Sequence, residues 1–121
     1  MMLQDLDTAK EVGNAIGATV KDKDVVVLAS TDFTHYEPQK VAYEKDSKAI
    51  DAIVNLNETR LIERVTRLDI SMCGYGPVTA MIVAAKAMGA KEAKLLKYAT
   101  SGDVVGDYSH VVGYGSITIK K

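Results

Sequence analysis

A chain of 121 residues, 47% hydrophobic and 26% charged with a formal net charge of -1, has the size and balance of one globular domain spanning residues 1–121. It has no basic stripe to recommend nucleic-acid binding, and no apolar run near the roughly 18 residues that mark a membrane span. Met1-Met2-Leu3-Gln4-Asp5 lacks the blocks of a secretory signal and Cys73 is the single cysteine, so no internal disulfide forms and a cytoplasmic setting is expected.

Leu6, Ala9, Val12, Gly13 and Ile16 recur near helical spacing, with Asp5 or Asp7 available as cap, which predicts a helix over about residues 5–19. Gly17 is expected to weaken its far end. After the polar turn Lys21-Asp22-Lys23-Asp24 comes Val25-Val26-Val27-Leu28-Ala29-Ser30, short, continuous, apolar and mostly β-branched. A run with no polar face predicts a central strand covered on both sides. Helix then strand is half of a βαβ unit, and the strand that would precede the helix has no counterpart in the sequence.

Pro38 suits a first helical turn, because its missing N–H would be unpaired there. Val41, Ala42, Ala49, Ile50, Ile53 and Val54 supply that helix with a buried stripe. Asn57 is positioned to cap a third, short helix with Leu61, Ile62 and Val65 inward. A fourth helix is predicted from Gly76-Pro77 to a left-handed stop at Gly89, with Val78, Met81, Ile82, Ala85 and Met88 on one face. Leu95 to Thr100 and Val111 to Ile119 read as strands, separated by ten turn-rich residues that permit antiparallel pairing. The expected fold class is α/β: a three-layer-like arrangement of a central, mostly parallel sheet with C-terminal antiparallel strands.

Three segments put reactive residues where apolar elements stop. Asp32 and His35 follow the Val25–Ser30 run, and loops beyond strand ends are where open α/β sheets bind ligands. A carboxylate orients an imidazole, and histidine transfers protons near neutral pH. A turn cap and a surface histidine are the plainer alternatives. Cys73 lies just before the fourth helix, where the dipole favours thiolate, the form that binds metal or attacks an electrophile. A buried, inert thiol is the alternative there. Asp103, Asp107, Ser109 and His110 form a third group that a solvated loop explains equally well. No Walker loop, nucleophile-elbow serine, CxxC or HExxH is present.

Ala29-Ser30-Thr31-Asp32-Phe33-Thr34-His35-Tyr36, Met72-Cys73-Gly74-Tyr75-Gly76-Pro77, and Tyr98-Ala99-Thr100-Ser101-Gly102-Asp103 with Asp107-Tyr108-Ser109-His110-Val111-Val112-Gly113-Tyr114 stand in an order and spacing that resemble the MEMO family. The likeness runs from about residue 5 to the end. It implies the fold of the class III extradiol (LigB-like) dioxygenases, here in part, and a non-haem metal pocket for iron(II) or copper. It further implies that Cys73 is a thiolate metal ligand, His35 an acid–base residue and Asp32 a carboxylate beside the metal. His110 gains no support from it. Longer members of the family add two metal-binding histidines from an N-terminal half, so this chain alone is expected to bind metal weakly or not at all. Its expected partners are that missing half or further copies of itself as a homo-oligomer, with a small-molecule substrate. A ligand- or peptide-binding adaptor without catalysis, and an inactive remnant, are the alternative readings.

Overall fold

In the computed structural model, which describes residues 1–121, Asp5 caps the first helix, α1 (Leu6–Val20), by accepting the Thr8 N–H at 2.8 Å. The strand β1 (His35–Glu37) leads into α2 (Gln39–Val54), which starts directly after Pro38 as predicted. Asn57 accepts from the Arg60 N–H and opens α3 (Glu58–Arg67). The helix α4 (Tyr75–Ala87) runs to Gly89, whose φ of 92° confirms the left-handed stop. The strand β2 (Glu92–Thr100), a single-turn helix α5 (Gly102–Val105) and the strand β3 (Val111–Lys120) complete the chain.

The three strands form one sheet in the order β1-β3-β2. Both pairings are antiparallel, with Thr100 opposite Gly113 and Leu95 opposite Ile117. The mixed α/β class and the antiparallel C-terminal strands are therefore present, whereas the mostly parallel sheet is not: no parallel pair forms within these residues. Phe33, Ile53, Leu61, Met72 and Ile82 fill the core between the helices and the sheet.

Gly17 does not weaken α1, which continues to Val20. With Gly13 it forms the seam where α1 meets α4. A Cβ at Gly13 would stand 2.5 Å from the Ala80 carbonyl oxygen, and one at Gly17 2.8 Å from the Ala87 Cβ. Their absence lets the two helices approach closely.

The Val25–Ser30 run differs most from expectation. It belongs to no sheet, and Val26 and Leu28 are 93% and 88% exposed. A strand needs a partner edge at hydrogen-bonding range, and no backbone hydrogen bond joins residues 26–30 to any other segment. Its composition suits a covered strand; its surroundings here cover only one side.

Candidate metal centre

Two connections carry the site. One joins the Val25–Ser30 run to β1; the other joins α3 to α4. Gly74 lets them touch, because a Cβ there would lie 2.7 Å from the Thr31 Cβ and 2.8 Å from the Ser30 carbonyl oxygen. The Gly74 N–H instead donates to the Thr31 hydroxyl oxygen at 2.8 Å, and that hydroxyl donates to the Asp32 carbonyl at 2.8 Å. Cys73 is thereby seated under the first connection. Its Sγ accepts the Asp32 N–H at 3.3 Å and lies 3.7 Å from the Thr31 Oγ1.

His35 is fixed through Ser71. The His35 N–H donates to the Ser71 hydroxyl at 2.7 Å, and Nδ1 lies 2.7 Å from the Ser71 carbonyl oxygen. A carbonyl only accepts, so Nδ1 carries a proton, and in the neutral ring the Nε2 lone pair is the open one. Nε2 points toward the Asp32 Oδ2 at 3.7 Å, too far for a hydrogen bond. The donor atoms of Asp32, His35 and Cys73 all lie within 4.8 Å of one another. His35 is 25% exposed and Asp32 47%, so the cluster opens to solvent on one side.

Tyr36 adds a strained neighbour. Its φ is 58°, in the left-handed region that bulky side chains rarely adopt, and the β1–β3 register shifts at this residue. Its ring, in a 74% exposed residue, stands edge-on to the His35 imidazole with centroids 5.9 Å apart.

Beneath the site lies a buried carboxylate that the sequence reading missed. Asp46 of α2 is fully buried and accepts from the Thr34 N–H at 3.0 Å, the Thr34 hydroxyl at 2.7 Å and the Tyr98 hydroxyl at 2.6 Å. Burial pushes the Tyr98 phenol well above its ordinary range, and the bond to Asp46 adds to the effect, so Tyr98 stays a donor. Gly113 is required beside it, since any Cβ would collide with the Asp46 carboxylate. The signal was in the sequence: Asp46 sits in phase with Ala42, Ala49, Ile50 and Ile53, a charge inside an apolar stripe. Gln4 was missed as well. Its side chain donates to the Cys73 carbonyl at 3.2 Å and accepts the Gly76 N–H at 2.8 Å, clasping the turn that holds the thiol.

Of the residues singled out by sequence, Asp32, His35 and Cys73 converge. His110 stays outside the cluster, exposed and 3.2 Å from its neighbour Ser109. Asp103 accepts the Thr100 N–H, and Asp107 accepts the Ser109 hydroxyl and N–H, which together hold its carboxyl below the usual value. That segment is an internally bonded turn. The donor set of the converging group fits a transition metal: an imidazole with one nitrogen anchored to a carbonyl and the other free, a thiol and a carboxylate, none satisfied by another.

The family described as Memo-like protein matches residues 1–118. A MEMO1 family protein of Methanopyrus kandleri is 57% identical over 123 aligned residues, covering 100% of this chain and 44% of its own length. One from Methanocaldococcus jannaschii is 54% identical across 99% of this chain and 42% of its own. One from Methanothermobacter thermautotrophicus is 46% identical across 98% and 43%. The chain spans less than half the length of these curated relatives. With a family match over residues 1–118 and 57% identity across the whole chain, the chain belongs to the Memo-like protein family.

Proposed function

We propose that Asp32, His35 and Cys73 form one wall of a non-haem metal pocket, part of an oxidoreductase site related to the class III extradiol dioxygenases. The observation that carries this reading is the convergence of the three donor atoms within 4.8 Å, with His35 Nε2 left open by the Ser71 carbonyl. Cys73 is the residue that would hold the ion, as a thiolate, with the Asp32 carboxylate beside it. Iron(II) or copper bound there would supply Lewis acidity and a redox couple. In the neutral ring with Nδ1–H donating to Ser71, His35 Nε2 is the nitrogen that would take a proton from a bound small-molecule substrate and return it. Ser71 orients the ring through that exchange by holding Nδ1–H. The solvent-facing side of the cluster gives a small substrate its entrance.

One thiolate, one carboxylate and one imidazole on an open wall make a shallow site. The remaining donors, in this reading, come from the portion of a longer Memo-like chain that these residues do not span. The 121-residue protein alone then takes up iron(II) or copper weakly and loses it on desalting. Elemental analysis of chelator-free protein, before and after desalting, measures this. Tightly held stoichiometric metal would contradict the shared-site reading. Titration with copper or cobalt should raise a thiolate-to-metal absorption that Cys73→Ala abolishes. An unchanged titration in that variant would remove Cys73 from the role.

A further inference from the structure

The two connections that carry the site meet without a backbone-to-backbone hydrogen bond between them. Bonds that involve a side chain hold residues 31–37 against residues 69–74. The Thr31 and Cys73 side chains fasten one end, and the His35 and Ser71 pair fastens the middle. The other end is held from outside. Lys45 of α2 donates from Nζ to the Glu37 Oε1 at 2.9 Å and to the Asp69 carbonyl at 2.9 Å. Glu37 lies two residues past His35, and Asp69 two residues before Ser71.

One ammonium thus spans the flanks of the His35 and Ser71 pair. An ammonium is a compact charge with three donors on a flexible stem, so it serves a carboxylate and a carbonyl together. The Lys45 side chain is 22% exposed and that of Glu37 29%, which limits screening of the pair by solvent. A lysine–glutamate pair at a surface ordinarily adds little to stability. What sets this one apart is where its ends lie. The next residue of α2, Asp46, fixes Thr34, so consecutive residues of one helix hold the chain on both sides of His35.

We propose that Lys45 is a positioning residue for His35: its bridge from β1 to the α3–α4 connection keeps the Ser71 carbonyl against Nδ1, so that Nε2 stays the open nitrogen. The use of that geometry rests on the acid–base role proposed for His35. The hydrogen bond made by one ring nitrogen decides which nitrogen is protonated. A slip between the two connections lengthens the contact of Nδ1 with Ser71, and the proton then settles on Nε2 and closes the base.

The test is made on the nitrogen-15-labelled 121-residue protein, without metal or substrate. Long-range proton–nitrogen spectra at about pH 8, where histidine rings are neutral, read which nitrogen carries the proton. The chain has two histidines, and His110, exposed and outside the cluster, is the internal control. Wild-type His35 carries its proton on Nδ1. Lys45→Met, which keeps an unbranched stem and removes the donors, lowers the ratio of Nδ1–H to Nε2–H by about fivefold or more. Glu37→Ala breaks the same bridge from its far end and shifts the ratio the same way. Lys45→Arg, which keeps the charge and the donors, stays within about twofold of wild type. A lowered melting temperature with an unaltered ratio would make Lys45 a stability residue only and overturn the proposal. An equal shift in Lys45→Arg, an equal change at His110, or failure of both bridge-breaking variants to fold would overturn it too. Wild-type His35 protonated on Nε2 would sink the acid–base reading itself, whereas a wild-type Nδ1–H that no variant disturbs sinks the role of Lys45 alone.

Discussion

Asp46 shows how one side chain sets the ground under the site. Its carboxylate accepts three hydrogen bonds in a place closed to water, and two of them fix Thr34, the residue before His35. Asp46→Ala strands the Thr34 N–H and hydroxyl and the Tyr98 hydroxyl together. Buried polar groups left unpaired cost about 1–3 kcal/mol apiece, with partial relaxation expected. The variant should lose roughly 3 kcal/mol by denaturant titration. Gly113→Ala, which drives a methyl into the same carboxylate, should be destabilising through strain rather than loss. Wild-type midpoints for both would show that the carboxylate carries no load. Chemistry at this scale was only partly visible in the sequence. Strand-end and helix-start positions made Asp32, His35 and Cys73 candidates beside plainer readings, because those positions are local signals, and the family resemblance favoured them. The role of the Ser71 carbonyl was not, since it depends on how two backbones distant in the chain lie against each other.

Elements were the most legible level. Asp5, Pro38, Asn57 and Gly89 each announce a helix boundary through chemistry confined to a few neighbours, and each boundary lies where that chemistry puts it. Between elements, Glu58 at the start of α3 bonds to Lys86 near the end of α4 at 2.8 Å. Partial burial pulls the Glu58 carboxyl upward, but the hydrogen bond and charge of Lys86, with its own backbone N–H, outweigh this and leave it below its ordinary 4.5. A lowered folded-state value means the contact stabilises above about pH 4.5 and is lost as pH falls through the folded value. The wild-type melting temperature should therefore fall more steeply below that pH than the melting temperature of Glu58→Gln. Parallel pH profiles would show that the pair contributes nothing. What the elements concealed was pairing. Val25–Ser30 announces a strand by composition, yet a ladder is made by two backbones, and the second lies nowhere in these residues.

Across the whole molecule, stability is unevenly distributed. Residues 33–120 hold the core between α2, α3, α4 and the sheet, while α1 returns to α4 through the Gly13 and Gly17 seam. The link between α1 and the rest is the segment without backbone bonds at residues 26–30. Local opening there costs little, and proteases cut where backbone is free. Brief digestion with a broad-specificity protease should cut first within residues 21–30. The two pieces should then migrate together on a sizing column, held by the α1–α4 seam. A first cut in the β2–β3 connection would refute this ranking.

Gln4 gives the start of the sequence an influence out of proportion to its length. Because its amide clasps both the carbonyl of Cys73 and the N–H of Gly76, trimming the first four residues would unlatch the thiol's turn without touching any donor atom. A polypeptide joined ahead of Met1 would enter the molecule within a few residues of Gln4, so the lead-in itself becomes a rein on the position of the sulfur.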